Sequence, residues 1–197
     1  MKKLALVLAV VVSGFVNAQY KDVPDTITKQ QHLDAKKYAA SDINIKSFES
    51  DLLALINDYR KSKGLSSLVV DSNLYKASTI QSDYMVSINQ VTHKNSNIGF
   101  ETPPQRIEYF YKHSYGVAGE NACTGNLYDC ALDNETPAEQ IFRIWKSSPG
   151  HNHNMLNPNY TIIGLSLSRK PGFDYFYANF DAVDSEYESV ITVTVIE

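Results

Sequence analysis

Apolar residues recur at intervals of three and four along the first half of the chain, which is the spacing of one helix face. The first such stretch begins near Ser47 and ends at Gly64, because glycine is favoured just past a last helical turn. A second follows Asp71, whose carboxylate can cap free N–H groups, and ends near Gln90. The prolines after Thr102 predict the start of a third helix.

A fourth helix is predicted to begin at Thr136, with Glu139 as its reciprocal partner in a capping box. The apolar residues that follow include Trp145, the only tryptophan, and give this helix one face that we expect to be buried. Pro149-Gly150 then predicts the end of the helix and a polar turn.

This turn carries two imidazoles and three side-chain amides: His151, His153, Asn152, Asn154 and Asn157. Such a concentration of polar ligating groups behind a rigid helix resembles a functional site. The residue types support an alternative equally well, in which the amides cap turns and the histidines are solvated.

The last third of the chain is predicted to be strands. Residues 161–168 and 174–180 are separated by Lys170-Pro171-Gly172, which favours a hairpin. Residues 189–196 alternate and are β-branched, which predicts a further strand. Helices followed by a hairpin indicate the α+β class.

The N-terminus has the pattern of a signal peptide: Lys2-Lys3, an apolar run over residues 4–12 and small residues up to Ala18, after which we expect cleavage. No later stretch reaches the ~20 apolar residues of a spanning helix. Residues 19–44 are predicted to be an N-terminal extension or linker with a short helix over residues 34–40. We expect one domain over residues 45–183 and a C-terminal strand extension over residues 184–197.

Removal of residues 1–18 deletes two of the 18 basic residues and none of the 22 acidic ones, which brings the formal net charge from −4 to −6. An acidic chain gains no counterion-release attraction to phosphates, so nucleic acid is not an expected partner. We expect an exported monomer, in the periplasm or the medium, without a transmembrane segment.

Cys123 and Cys130 are the only cysteines. In an exported chain, an even pair close in sequence predicts a disulfide. Zinc coordination by the two thiolates is the alternative, but the two cysteines lack the CxxC spacing that such sites use.

Two further polar residues stand at predicted element boundaries. His93 follows the end of the second helix, where a histidine is commonly solvated. Glu120 stands between Gly119 and Asn121, and backbone hydrogen bonds are expected to hold its carboxylate in place.

The run WKSSPGHNHNMLNPNYTIIGLSLS resembles the signature of the CAP superfamily (cysteine-rich secretory proteins, antigen 5, pathogenesis-related 1 proteins; SCP domain) in its short bacterial form. The same order and spacing hold for LLALINDYRKSKGLSSLVVDSNLYKAS, the Thr92-His93 turn, AGEN and FYANF. The resemblance covers residues 47–182 and implies an α/β/α sandwich, with a hairpin-containing antiparallel sheet between helices.

The family places two histidines and two glutamates in an open cleft, and several members bind zinc through the histidines. His93, Glu120 and His151 match three of these positions. Ser148 stands where the family has its second glutamate, and His153 is either a substitute ligand or an incidental imidazole. The resemblance therefore implies a cleft with His93, Glu120, Asn121, His151, Ser148 and His153, and with zinc bound through His93 and His151.

Two functions remain open at this point. The first is an exported binding module, whose cleft takes a divalent metal, a small ligand or a cell-surface partner without turnover. The second is a metal-assisted hydrolase acting on peptide, glycan or phosphodiester, although no G-x-S-x-G or HExxH motif supports it. We favour binding, with no catalytic residue assigned.

Overall fold

The computed structural model describes residues 8–11, 28–39 and 43–185. Its helices are α1 (Lys29–Ala39), α2 (Ile45–Ser62), α3 (Ser72–Ile88), α4 (Pro103–Phe110), α5 (Leu127–Asp133), α6 (Pro137–Ser147) and α7 (Pro149–Met155). Its strands are β1 (Leu8–Val11), β2 (Val69–Val70), β3 (Tyr115–Asn126), β4 (Ile162–Arg169) and β5 (Tyr175–Ser185). The α+β class predicted from the sequence is confirmed.

The described strands form one mixed sheet in the order β1-β3-β5-β4-β2. β4 and β5 make the predicted antiparallel hairpin, and β3 pairs antiparallel with β5 on its other side. The short strands β1 and β2 add parallel pairings to β3 and β4. β1 lies within residues 1–18, so a chain cleaved after Ala18 would retain the other four strands.

The predicted helix starts reflect local capping. Asp71 accepts hydrogen bonds from two backbone N–H groups of α3, at 2.8 and 3.0 Å. Thr102 and Thr136 both form capping boxes, with Gln105 and Glu139 as the reciprocal partners. These short-range bonds satisfy donors that the helix itself leaves unpaired, so they need no tertiary context.

Two helical layers enclose the sheet. On one face, α2 and α6 pack against β4 and β5 through a core that includes Leu52, Trp145 and Phe180. Trp145 is fully buried, as predicted, and its ring meets the Phe180 ring edge-on at 5.9 Å. On the other face, α3 and α4 cover Ala118 and Val183.

The predicted disulfide between Cys123 and Cys130 is wrong for this structure, because both are buried free cysteines. The segment between them is not a mobile loop that needs a crosslink. Cys123 belongs to β3 and Cys130 to α5, and both pack into the core beside α6. Burial raises the pKa of the Cys130 thiol to about 12, which keeps it protonated and unreactive.

The predicted strand over residues 189–196 and most of the predicted signal peptide lie outside the described residues. The predicted helix over residues 34–40 corresponds to α1, which starts earlier, at Lys29. The part of the chain that the structure describes contains no helix long and apolar enough to cross a membrane.

Gly164 on β4 lies directly against the backbone of α3. A Cβ at this position would collide with the Leu74 carbonyl group and the Tyr75 nitrogen. Gly64, in contrast, has a positive φ of 73°, and a Cβ added there would meet no atom within 4 Å.

We expect Gly164→Ala to lower the free energy of unfolding by about 1–3 kcal/mol or more, because backbone atoms cannot move aside as a flexible side chain can. Gly64→Ala is the control and should cost about 1 kcal/mol through backbone conformation alone. Urea unfolding of both variants measures the difference. An equal cost at the two positions would contradict the close approach of α3 and β4.

Candidate functional site

His93 lies in the loop after α3, where hydrogen bonds from two sides fix the backbone. The Gln81 side-chain amide donates to the carbonyl oxygen of Thr92, and Arg106 Nη2 donates to the carbonyl oxygen of His93 at 3.2 Å. The His93 side chain retains 13% of its exposure. The ring therefore stands at the surface in a defined position.

Glu120 on β3 lies directly behind this imidazole. Its Oε1 atom is 2.7 Å from His93 Nδ1, and its Oε2 atom accepts a hydrogen bond from Arg106 Nη2 at 2.6 Å. Asn179 Nδ2 donates to the same Oε2 atom at 3.3 Å. Because an ionised carboxylate only accepts hydrogen bonds, His93 Nδ1 carries a proton and is the donor of this hydrogen bond.

Arg106, on α4, supplies the positive charge of this centre and is completely buried. Besides Glu120 and His93, it contacts the carbonyl oxygen of Phe100, to which Nη1 donates at 2.8 Å. One guanidinium thus joins α4, the loop after α3 and strand β3. Its charge balances that of the Glu120 carboxylate.

The pKa of Glu120 reflects these opposing influences. Burial alone would raise it, but the Arg106 guanidinium and then His93 bring the pKa of Glu120 below its ordinary value. Glu120 is therefore an ionised carboxylate at neutral pH, although its side chain has no solvent exposure.

A second buried carboxyl group, Asp181, lies opposite Glu120 on β5. Its Oδ2 atom accepts hydrogen bonds from Ser78 Oγ at 2.8 Å and from Asn179 Nδ2 at 3.0 Å. Burial and then the charge of Glu120 raise the pKa of Asp181 well above its usual range. The raised pKa favours the protonated form of Asp181, which reduces the repulsion between the two buried carboxyl groups.

His151 lies on α7 and not in the polar turn that the sequence predicted. Proline is favoured in a first helical turn, so Pro149 starts a new helix directly after Ser148. The His151 side chain is buried, and neither ring nitrogen has a hydrogen-bond partner among the residues that the structure describes. Burial, and then the positive charge that nearby His93 carries when protonated, lower the pKa of His151 to about 4, so its imidazole is neutral.

Two buried asparagines attach α7 to β3. Asn121 Nδ2 donates to the carbonyl oxygen of His151 at 3.0 Å. Asn154 Nδ2 donates to the carbonyl oxygen of Glu120 at 3.2 Å and to Asn121 Oδ1 at 2.9 Å. The backbones that carry His151 and Glu120 are thereby fixed next to each other.

The remaining predicted site residues lie at the margin. Ser148 is buried and is the N-cap residue of α7, but its side chain makes no capping hydrogen bond. His153 is exposed on α7, away from the buried cluster. The structure thus brings together His93, Glu120, Asn121 and His151, and leaves Ser148 and His153 outside their network.

The arrangement is a buried network with His93 at its rim, and it is not the open cleft that the resemblance implied. Glu120 and His151 are both 1% exposed. A cavity of about 510 Å³ lies elsewhere, between α1 and α5, with Tyr38 and Glu135 among its lining residues. A ligand at the polar network would therefore meet His93 first.

A metal ion would find two imidazoles here. His151 offers a neutral ring whose nitrogens have no partner within the described part of the chain, and His93 is oriented by the Glu120 carboxylate, as metal-binding histidines commonly are. In residues 28–39 and 43–185, no group of three or more histidine, cysteine, aspartate and glutamate residues is placed to hold a metal ion. Two imidazoles fall short of the three protein ligands that zinc normally takes, so zinc bound through them alone would be held weakly.

Three residues of the network were not predicted: Arg106, Asn179 and Asp181. Arg106 resembles any solvated arginine on a helix. The sequence does carry a signal for Asn179 and Asp181. Side chains alternate between the two faces of a strand, so these two polar residues of an aromatic strand share one face. Their shared face adjoins Ser78 on α3.

Comparison with known proteins agrees with this architecture. The family model described as "Cysteine-rich secretory protein family" (CAP) matches residues 53–180. The uncharacterized protein YkwD of Bacillus subtilis (strain 168) is 31% identical over 122 residues, which are 62% of this chain and 43% of YkwD. The matched region thus spans less than half of that relative's length.

Two solved structures share the fold. An outer surface protein from Borrelia burgdorferi has a TM-score of 0.61 at 19% identity, covering 75% of this chain and 99% of the Borrelia chain. An extracellular SCP-domain protein from Bacillus anthracis has a TM-score of 0.53 at 21% identity, covering 69% of this chain and 40% of that one. The chain belongs to the cysteine-rich secretory protein (CAP) family.

Proposed function

We propose that this chain is an exported bacterial CAP-domain protein that binds a ligand at His93 and His151 without turning it over. Export is supported by the signal-peptide pattern before Ala18. It is also supported by the names of the similar structures, which describe an outer surface protein and an extracellular protein.

The observation that carries the proposal is the state of the Glu120 carboxylate. Both of its oxygens accept hydrogen bonds from protein groups, and its side chain is inaccessible to solvent. Such a carboxylate orients a neighbouring group but cannot approach a substrate to take its proton. Glu120 therefore acts as the group that orients the His93 ring.

The imidazoles of His93 and His151 favour a ligand that binds to a ring nitrogen. With Nδ1 held by Glu120, His93 is an oriented imidazole of the kind that commonly binds divalent metals. His151 adds a second neutral imidazole. Zinc is the ion we propose, held weakly because only two protein ligands are offered.

The same observation counts against the hydrolase alternative. Hydrolysis of a peptide, glycan or phosphodiester needs a base beside the attacking group, and Glu120 is the ionised carboxylate of this network. Its oxygens are already engaged by His93, Arg106 and Asn179. We therefore advance no second function.

Isothermal titration with zinc chloride tests the proposal. We expect His93→Ala and His151→Ala each to weaken zinc binding by a factor of about 10 or more, since each removes one of two ligands. His93→Gln serves as a second variant, because it keeps a polar side chain of similar length.

His153→Ala is the matched control, because His153 is an exposed imidazole on the same helix as His151. Its zinc affinity should equal that of the unaltered chain. Unchanged binding in the His93 and His151 variants, or an equal loss in the His153 variant, would overturn the proposal. Thermal unfolding of each variant verifies that lost binding is not lost folding.

A further inference from the structure

The cavity between α1 and α5 is separate from the polar network around His93, because none of its lining residues belongs to that network. Its volume of about 510 Å³ lies within the range of about 300–1,000 Å³ that small-molecule sites occupy. One of its walls is α1, which precedes the residues 53–180 that match the family model. Membership of the family therefore does not account for this cavity.

Contacts near both ends of α1 hold it in place as a wall. His32 Nδ1 forms a hydrogen bond with the Tyr128 hydroxyl group on α5, at 2.7 Å. Arg169 Nη2, on β4, donates to the carbonyl oxygen of Ala39 at 2.6 Å. Between these two points Ala35 lines the cavity and is 1% exposed. The cavity is thus largely preformed, so a ligand would need to order few groups on entering it.

The lining of the cavity is acidic and rich in hydrogen-bond acceptors. Asp34 lines it from α1, and Glu135 lines it from the segment between α5 and α6. Amide and hydroxyl groups supply the other polar atoms: Gln31, Tyr38, Asn134 and Thr136. Among the described residues that line the cavity, none is lysine, arginine or histidine. A ligand of matching chemistry therefore carries positive charge and N–H donors.

Arg143, on α6, offsets part of the negative charge at Glu135. Its Nε atom donates to Glu135 Oε1 and its Nη2 atom to Oε2, both at 2.8 Å. A carboxylate has about four lone-pair positions, so Glu135 retains the capacity to accept a bond from a ligand. Asp34, on the other wall, accepts a hydrogen bond from the uncharged Gln30 amide at 2.9 Å, which leaves its charge in place.

Two groups of the lining respond to the negative charge around them. Burial, and then Cys130 and Glu139, raise the pKa of Tyr38 above its ordinary value. Burial, and then Glu135 and Asp129, raise the pKa of Cys130 to about 12. In both cases neighbouring negative charges disfavour a further anion. The same charges would repel an anionic ligand and attract a cationic one.

We propose that this cavity binds a small aliphatic diamine, with one ammonium group at Asp34 and the other at Glu135. An ammonium group has N–H donors and no acceptor, and its hydrogen bonds to carboxylates are among the strong ones. The methylene chain would lie against the apolar part of the lining, which includes Ala131 and Leu132. This inference does not depend on zinc binding at His93.

The same cavity is poorly suited to a metal ion. In the part of the chain that the structure describes, no three or more histidine, cysteine, aspartate and glutamate residues converge to hold one. Asp34 and Glu135 line the cavity from different elements, and the space between α1 and α5 is that of a small molecule. An organic cation therefore fits better than a bare ion.

Isothermal titration with putrescine, a four-carbon diamine, tests the proposal at low ionic strength, where charge attraction is least screened. The neutral four-carbon diol is the control ligand, and it should give no measurable binding. We expect Asp34→Asn to weaken putrescine binding by a factor of about 10 or more, because a hydrogen bond between charged groups is lost. Asp34 is exposed, so this change should leave the fold intact.

Asp58→Asn is the matched control protein, because Asp58 is an exposed carboxylate on α2 that does not line the cavity. It removes the same charge elsewhere and should leave the putrescine affinity unchanged. Ala131→Leu fills part of the cavity from α5 without altering the charge, and it should weaken binding as Asp34→Asn does. Thermal unfolding verifies that each variant is folded.

The proposal fails if putrescine gives no measurable binding, or if Asp34→Asn binds it as tightly as the unaltered chain does. It also fails if Asp58→Asn loses as much affinity as Asp34→Asn, because the acidic surface would then attract diamines without a site. Zinc affinity should be the same in the Asp34 variant and in the unaltered chain. The result at this cavity is therefore distinguishable from the result at His93 and His151.

Discussion

Replacing Arg106 by methionine is expected to lower the free energy of unfolding by about 3–5 kcal/mol, which is the usual cost of leaving a buried charge without its partner. Glu120 has no solvent exposure and depends on the guanidinium for its ionised state. Urea unfolding at pH 7 measures the effect. Methionine retains most of the side-chain volume, so the loss reports on charge more than on packing.

The deficit of the Arg106→Met variant should also depend on pH. In the unaltered chain the pKa of Glu120 is lowered, so its stabilising contribution is present above the unfolded pKa and is lost as the pH falls. Without Arg106, burial raises the pKa of Glu120, and the folded state gains a proton more readily than the unfolded state. The difference between the two proteins should therefore shrink between pH 7 and pH 5.

Glu120→Gln combined with Arg106→Met provides the double-mutant cycle for this pair. Because glutamine carries no charge, the double variant should be less destabilised than the sum of the two single changes. A deficit that is independent of pH, or strictly additive effects, would show that Arg106 acts mainly by packing.

Arg60→Met is the second substitution with a large expected effect, about 3 kcal/mol or more. Arg60 is fully buried at the end of α2. Its guanidinium donates to the carbonyl oxygens of Ser66, Met155, Asn157 and Tyr160, at 2.8, 2.8, 2.9 and 3.2 Å. In the variant these carbonyl oxygens stay buried but lose the guanidinium as hydrogen-bond donor, so the free energy of their desolvation is no longer offset.

The Arg60 effect should extend to α7, since two of these carbonyl oxygens lie at or just beyond its C-terminal end. Urea unfolding together with faster amide exchange over α7 measures it. Arg60→Lys should not restore stability, because a single ammonium cannot reproduce the planar fork. Lys61→Ala, an exposed neighbour, is the control and should remain within about 0.5 kcal/mol. Unaltered exchange over α7 would contradict this positioning role.

The elements predicted correctly are those with short-range signals. Asp71 and Thr136 start helices through bonds to residues two and three positions away, and the turn at Gly172 closes the hairpin with a positive φ of 81°. Such signals operate within a few residues, so the sequence carries them without knowledge of tertiary contacts.

β3 was not predicted, and the reason is its position. It lies between β1 and β5 and is largely buried, and its sequence YGVAGENACTGN has small and polar residues in place of an apolar alternation. Helix α7 was missed for another reason. Pro149-Gly150 was interpreted as a break, although a proline that ends one helix can also begin the next.

In the candidate site, too, some residues could be predicted from the sequence and others depend on tertiary packing. His93 and Glu120 were chosen by their place in the chain, and the structure puts them in contact. Arg106 and Asp181 could not be identified locally, because their burial arises from the packing of α3 and α4 on the sheet. Whether the assembled residues bind a ligand stays a prediction until the titrations are done.

The opposed carboxyl groups of β3 and β5 also restrict how these strands can align. Glu120 faces Asp181 in the observed register, whereas the adjacent position pairs Asn121 with Phe180. A slip of one residue would turn Glu120 toward the face where Phe180 and Trp145 pack. An ionised carboxylate placed there without Arg106 would cost several kcal/mol, so the observed register is favoured over a register shifted by one residue.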